Sequence, residues 1–143
     1  PILEEGRSNN MIILSLLYSQ ITLSNENISD EIRKVVDANL LYMETENVDG
    51  VMSTVHTQSL SYLPTKDALS QIFGNYKLEY VIEDYSFIGH DGELAYVRVK
   101  QATNKVSGLT FQNNRLDMLQ VFKKENGVWK LWAQANLEVE YIQ

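Results

Sequence analysis

The sequence predicts an α+β protein, with a helical first half followed by a four-strand antiparallel meander. Three observations carry this reading. Between Ile28 and Phe73 the apolar residues recur at spacings of three and four, the period of a helix with one buried face. From Lys77 onward the period changes to two, the signature of a strand. Asp91-Gly92 and Asn126-Gly127 each fall between two such runs, and both dipeptides suit the positive backbone φ of a tight hairpin turn.

The elements follow in order. Residues 1–27 read as an N-terminal extension. Its apolar run MIILSLLYSQITL (11–23) alternates through Ile13, Ser15, Leu17 and Ser19, which fits a strand as well as a helix. Asn25 to Asn27 reads as a break and cap. A domain then spans 28–143. Its first helix, Ile28 to Glu46, carries Ile32, Val35, Val36, Leu40 and Met43 on one face. Asn47 restarts a short helix with Asp49 in its first turn, where a carboxylate suits the positive helix end, and Val51, Met52 and Val55 face inward. A loop over 57–64 holds Tyr62 and Pro64. Thr65 caps a third helix with Leu69, Ile72 and Phe73 as its stripe, ending near Gly74.

The first hairpin joins 77–89 to 94–102. A two-residue Asp91-Gly92 turn pairs Tyr85 with Arg98 and Glu83 with Lys100, and turns Ile82, Asp84, Ser86 and Ile88 toward the helices. The second hairpin turns at Asn126-Gly127. It pairs Phe122 with Leu131, Gln120 with Ala133, Met118 with Ala135 and Leu116 with Leu137 on the helix-facing side. Trp129 joins that side. Trp132 falls on the reverse face with Leu119, Val121 and Gln134, a patch that no predicted helix covers, so these four residues are expected to form a homodimer interface through the outer sheet face.

Composition narrows the function. With 143 residues, 44% of them hydrophobic and 22% charged, the chain suffices for one well-packed domain. A net charge of −7 and the lack of a Lys/Arg stripe argue against nucleic acid and anionic membranes as partners. The apolar run at 11–23 is too short and too interrupted to span a bilayer, and its acidic flank is unlike a signal peptide. A cytoplasmic location is expected, with secretion left open. There is no cysteine, hence no thiol nucleophile and no Cys-based zinc site. His56 and His90 stand far apart without a metal-ligand spacing, and neither a phosphate-binding glycine loop nor a nucleophile elbow occurs, so neither a metal nor a cofactor is expected.

The stretch ANLLYMETENVDGVMSTVH, the strand LAYVRVKQ and the closing KKENGVWKLWAQANLEVEYI resemble the nuclear-transport-factor-2-like superfamily, which includes the SnoaL-like and ketosteroid-isomerase-like proteins. The resemblance covers roughly 28–143. It implies three helices packed on a curved, mostly antiparallel sheet of four to six strands, a cone or cystatin-like roll, with dimers formed by outer sheet faces. It also implies a pocket between sheet and helices. The isomerase-type base would fall near Leu63, its strand acid near Asn114 and its helix tyrosine near Asn39, with Tyr42 one turn on. Leucine accepts no proton and asparagine does not titrate, so that machinery is missing.

Within this framework Asp84 and His56 are the candidate acid/base residues: Asp84 because the expected register turns it inward, His56 because it closes the second helix near the pocket mouth. A histidine at a helix C-terminus also has a plain structural role, stabilised by the helix dipole. Tyr42, Tyr62, Gln101, Asn114, Met118, Gln120 and Trp129 are the candidate pocket lining. Two functions stay open: a small-molecule pocket protein, a binder or a cofactor-free acid/base enzyme, and a non-catalytic dimerisation module whose cone is filled by its own side chains.

Overall fold

A computed structural model describes residues 2–143, with side chains described for 11 and 13–143. It contains α1 (Ile2–Glu44), α2 (Val48–Ser53), α3 (Tyr62–Asn75), β1 (Tyr76–His90), β2 (Leu94–Gly108), β3 (Asn114–Glu125) and β4 (Val128–Tyr141). The strands form one antiparallel sheet in the order β1-β2-β3-β4, and the helices pack on one face of it.

The expected break at Asn25 to Asn27 is absent. α1 runs unbroken through 43 residues, about 65 Å at the α-helical rise. Asparagine costs a helix interior only a few tenths of a kcal/mol to about 0.7 kcal/mol relative to alanine. Ile28, Ile32, Val35 and Val36 on the packed face anchor the segment that follows. Before Asn25 the helix lies clear of the sheet, and Leu14, Leu17, Tyr18 and Ile21 are exposed. α1 ends at Glu44, the turn that follows places Glu46 at φ +55°, and the Asn47 side chain then accepts the Gly50 N–H at 2.9 Å, capping α2 as expected. α3 starts at Tyr62, before the expected Thr65. Pro64 lies in its first turn, where a missing N–H costs no helical bond.

Two departures in register decide which side chains face inward. At the first hairpin, Asp91 Oδ1 accepts the N–H groups of Glu93 and Leu94 at 3.0 and 2.8 Å, which opens the turn beyond two residues. Irregularities at Ile88 and Glu83 follow, and Tyr85 pairs with Val99 rather than Arg98. At the second hairpin, Asn126 (φ +51°) and Gly127 (φ +79°) form the expected turn, and Phe122 pairs with Leu131 as expected. Trp132 is then an extra residue, because Val121 pairs with Ala133. Beyond this bulge Gln120 faces Gln134, not Ala133, and Met118 faces Asn136, not Ala135. The one-residue slip exchanges the faces of the residues beyond it until a second extra residue, Leu137, restores the phase and leaves Leu116 opposite Val139 rather than Leu137.

The main core packs Ile32 and Val36 against Val97, Val99, Met118, Phe122 and Trp129. A smaller cluster of Val51, Met52, Val55 and Leu69 joins α2 to α3.

Candidate binding site

Between α1, α2, α3 and the concave sheet face lies a cavity of about 260 Å³. Its apolar wall includes Val36, Met43, Val51, Leu69, Met118 and Phe122. Its polar groups are amides and hydroxyls: Asn39, Thr54, Thr65, Tyr80, Gln101, Gln120 and Gln134. α1 presents Asn39 one turn beyond Val35 and Val36, and its Nδ2 donates to Thr54 Oγ1 at 2.8 Å. Thr54 Oγ1 in turn donates to the Val51 carbonyl. From the sheet, Gln120 Nε2 donates to Gln134 Oε1 at 2.9 Å, and Gln134 Nε2 donates to Asn136 Oδ1 at 3.1 Å. Gln101 Nε2 donates to Thr103 Oγ1 at 3.3 Å.

Tyr80 is the single titratable residue on this wall. Burial, reinforced by the nearby Glu44 carboxylate, pushes its phenol up to about 12, so it stays protonated across the physiological range. A wall of this kind orients a ligand by hydrogen bonds, and at neutral pH it supplies no general base.

The expected site residues divide. Gln101, Met118 and Gln120 line the cavity. Gln134, expected on the outer face, lines it too, because the Trp132 bulge turns it inward. Tyr42 does not: its ring packs against Gly50, where an added Cβ would lie 2.4 Å from Tyr42 Cδ1. Tyr62 packs beside the α2–α3 cluster. Trp129 is buried in the main core under the Lys124 ammonium. Asn114 sits at the sheet end, opposite Tyr141, with its Nδ2 donating to the Gln112 carbonyl.

Neither acid/base candidate reaches the cavity. Asp84 is exposed and faces Lys100, since the irregularity at Glu83 keeps it off the helix side. His56 is only 4% exposed, yet it belongs to a different cluster. Val55 bridges to Leu131, and the His56 N–H donates to the Leu131 carbonyl at 2.9 Å. The His56 ring meets Trp132 edge-on at 4.9 Å, and its Nδ1 accepts the Gln58 N–H at 3.1 Å. Glu125 accepts from the Thr57 hydroxyl, from Lys130 at 3.0 Å and from the Thr57 N–H. These bonds hold its carboxyl down at about 2. This cluster clamps the segment after α2 onto the edge of the sheet.

Of the expected interface residues, Leu119 and Val121 pair with Ala135 and Ala133. Trp132 is not bare, because His56 and the Lys123 ammonium, 4.5 Å from its ring, cover it. Sequence reasoning missed Asn39 as a hydrogen-bonding group, Thr54 and Tyr80. Asn39 carried a usable signal, an uncharged polar residue one turn along the buried stripe of α1 from Val35 and Val36. Among the described residues no three carboxylate or imidazole side chains converge to hold a metal ion, and no helix is long and apolar enough to cross a membrane.

A family model for the C-terminal domain of the anti-sigma-I factor RsgI9 matches residues 34–142. The chain belongs to this family. The matched residues run from the packed half of α1 to the end of β4, so they take in the whole cavity wall. No curated protein matches the chain. Among solved structures, a conserved protein from Planctomyces limnophilus aligns with TM-score 0.67 and 18% identity over 82% of this chain and 99% of its own. A candidate scytalone dehydratase from Novosphingobium aromaticivorans aligns with TM-score 0.67 and 12% identity over 85% of this chain and 89% of its own. A candidate dehydratase of the nuclear-transport-factor-2-like family from Streptomyces avermitilis aligns with TM-score 0.61 and 15% identity over 76% and 94%. At these identities the likeness is one of fold. This RsgI9-type domain has the α+β cone of the nuclear-transport-factor-2-like superfamily, with helices on a curved, unclosed four-strand sheet.

Proposed function

We propose that this domain is a non-catalytic binding module that holds a small molecule in its cone. By analogy with the anti-sigma-I factor that names the family, it would serve as the sensing part of a larger regulatory protein. One observation carries the reading: the cavity wall combines apolar side chains with amides and hydroxyls and contains no carboxylate, imidazole, ammonium or guanidinium. A volume of about 260 Å³ sits just below the usual scale of ligand pockets, which suits a compact, single-ring ligand. The test is a screen of small neutral compounds by ¹H–¹⁵N NMR. The expected result is saturable shifts confined to the side-chain amides of Asn39, Gln101, Gln120 and Gln134. If no compound moves them at millimolar concentration, the cone is a filled scaffold and the reading fails.

Pairing of two copies through the outer face is a second proposal, supported by the apolar strip of Leu119, Val121, Ala133 and Ala135. Leu119→Glu should then convert a dimer to a monomer in light scattering. An unchanged dimer would place the contact elsewhere.

A further inference from the structure

We infer that the ligand of this cavity is an uncharged molecule that donates a hydrogen bond to Gln120 Oε1. The inference rests on the binding reading above and narrows it to a chemical class. Gln120 lines the cavity, and its Oε1 is buried with no partner among the described residues. A buried acceptor without a partner costs about 1 to 3 kcal/mol, so a protein has reason to keep one where a ligand completes it. The orientation of this amide is not isolated. Gln120 Nε2 donates to Gln134, and Gln134 donates to Asn136, so the nitrogen end of the Gln120 amide is engaged and its oxygen is the end left without a partner.

The rest of the wall is uncharged. Asn39 and Gln101 each direct an amide N–H to a threonine oxygen, and the Tyr80 phenol adds a hydroxyl. An anion would find no cation there. A cation would find no carboxylate on the wall. Glu44 lies near, but its Oε1 accepts the Tyr80 backbone N–H at 3.1 Å. A neutral hydroxyl, amide or N–H compound with an apolar ring satisfies both the apolar wall and the acceptor.

Four ring compounds of nearly equal size separate the possibilities, each titrated calorimetrically into the full chain. Benzamide is neutral and donates. Acetophenone has the same shape and only accepts. Benzoate is an anion, and cumene is apolar. Benzamide should bind tightest and benzoate weakest. Gln120→Leu should weaken benzamide about tenfold, the loss expected for one buried hydrogen bond, and leave cumene within about twofold. Gln120→Glu, which keeps an acceptor in either protonation state, should retain benzamide binding that Gln120→Leu loses. Acetophenone or cumene binding as well as benzamide, with no effect of Gln120→Leu, overturns the donor requirement while leaving the binding reading intact. If none of the four binds either protein, the binding reading itself fails.

Discussion

The two faces of the sheet are built from the same four strands and differ sharply in chemistry. On the outer face, charges meet charges. Arg98 forks onto Asp117 with two bonds of 2.8 Å, and Arg115 reaches Glu83 at 2.9 Å and Glu140 at 3.8 Å. The inner face opposite carries amides, hydroxyls and apolar groups around a cavity. Alternation along a strand sorts residues onto two faces, and here it sorts the ionisable ones outward. Carboxylates and ammonium groups are thus kept off the wall of this cavity. Folding and ligand contact draw on different residues, and substitutions on the two faces should separate them.

The largest expected effect comes from where the inner face meets the helices. Phe122 is 2% exposed and packs in the main core at the cavity wall. Phe122→Ala should cost about 3 to 5 kcal/mol in denaturant unfolding, because it removes a buried ring and leaves a void. A loss below about 1 kcal/mol would mean that the cone tolerates extra space and that its cavity is incidental.

Next come the acids outside the cavity. Arg98 holds Asp117 below the usual carboxylate range, and the Thr57 hydroxyl, with Lys130, holds Glu125 at about 2 against an ordinary 4.5. A carboxyl whose pKa is lower folded than unfolded stabilises the fold above its unfolded value. That contribution fades as pH falls through the folded value. Asp117→Asn and Glu125→Gln should therefore each lower the unfolding midpoint at neutral pH, and the difference from the parent should fade in acid, for Glu125→Gln disappearing near about pH 2. A penalty that persists unchanged in acid would assign these residues a packing role instead.

Gln120→Leu should behave oppositely. It removes a buried, unpartnered oxygen from the inner face, so stability should stay level or rise by up to about 1 kcal/mol while affinity for donor ligands falls. Loss of both stability and affinity would blur the separation of the faces. The smallest effect belongs to the projecting half of α1. Deleting residues 2–24 should leave the unfolding midpoint of the remainder within a few degrees, since the packed face starts at Ile28. A collapse of the domain would show that the exposed Leu14, Leu17, Tyr18 and Ile21 are covered in solution by contacts that matter to folding.

Much of the architecture was legible because it rests on periodicity and turn chemistry. The helical face from Ile28 to Phe73, the Asn47 cap and the Asn126-Gly127 turn follow from local rules. The site was less legible, for a specific reason. Facing in a sheet depends on register, and the extra residue at Trp132 carries no sequence mark. Counting back from a correct turn put Phe122 opposite Leu131 properly and then placed Gln134 on the wrong face. The longer turn at Asp91 and the irregularity at Glu83 did the same to Asp84. Tyr42 was lost for a steric reason, since the absent side chain of Gly50 lets α2 close over its ring. His56 read as a helix end near the pocket. A single backbone bridge, Val55 to Leu131, put it beside Trp132 instead.

The most direct test of the central claim, a cavity that binds without proton chemistry, is the dissociation constant of benzamide from about pH 5 to about pH 9. Tyr80, the one titratable group on the wall, changes state only near about 12, so the constant should hold within about twofold across that range. A tenfold change within it would put an ionisable group in contact with the ligand and contradict the account.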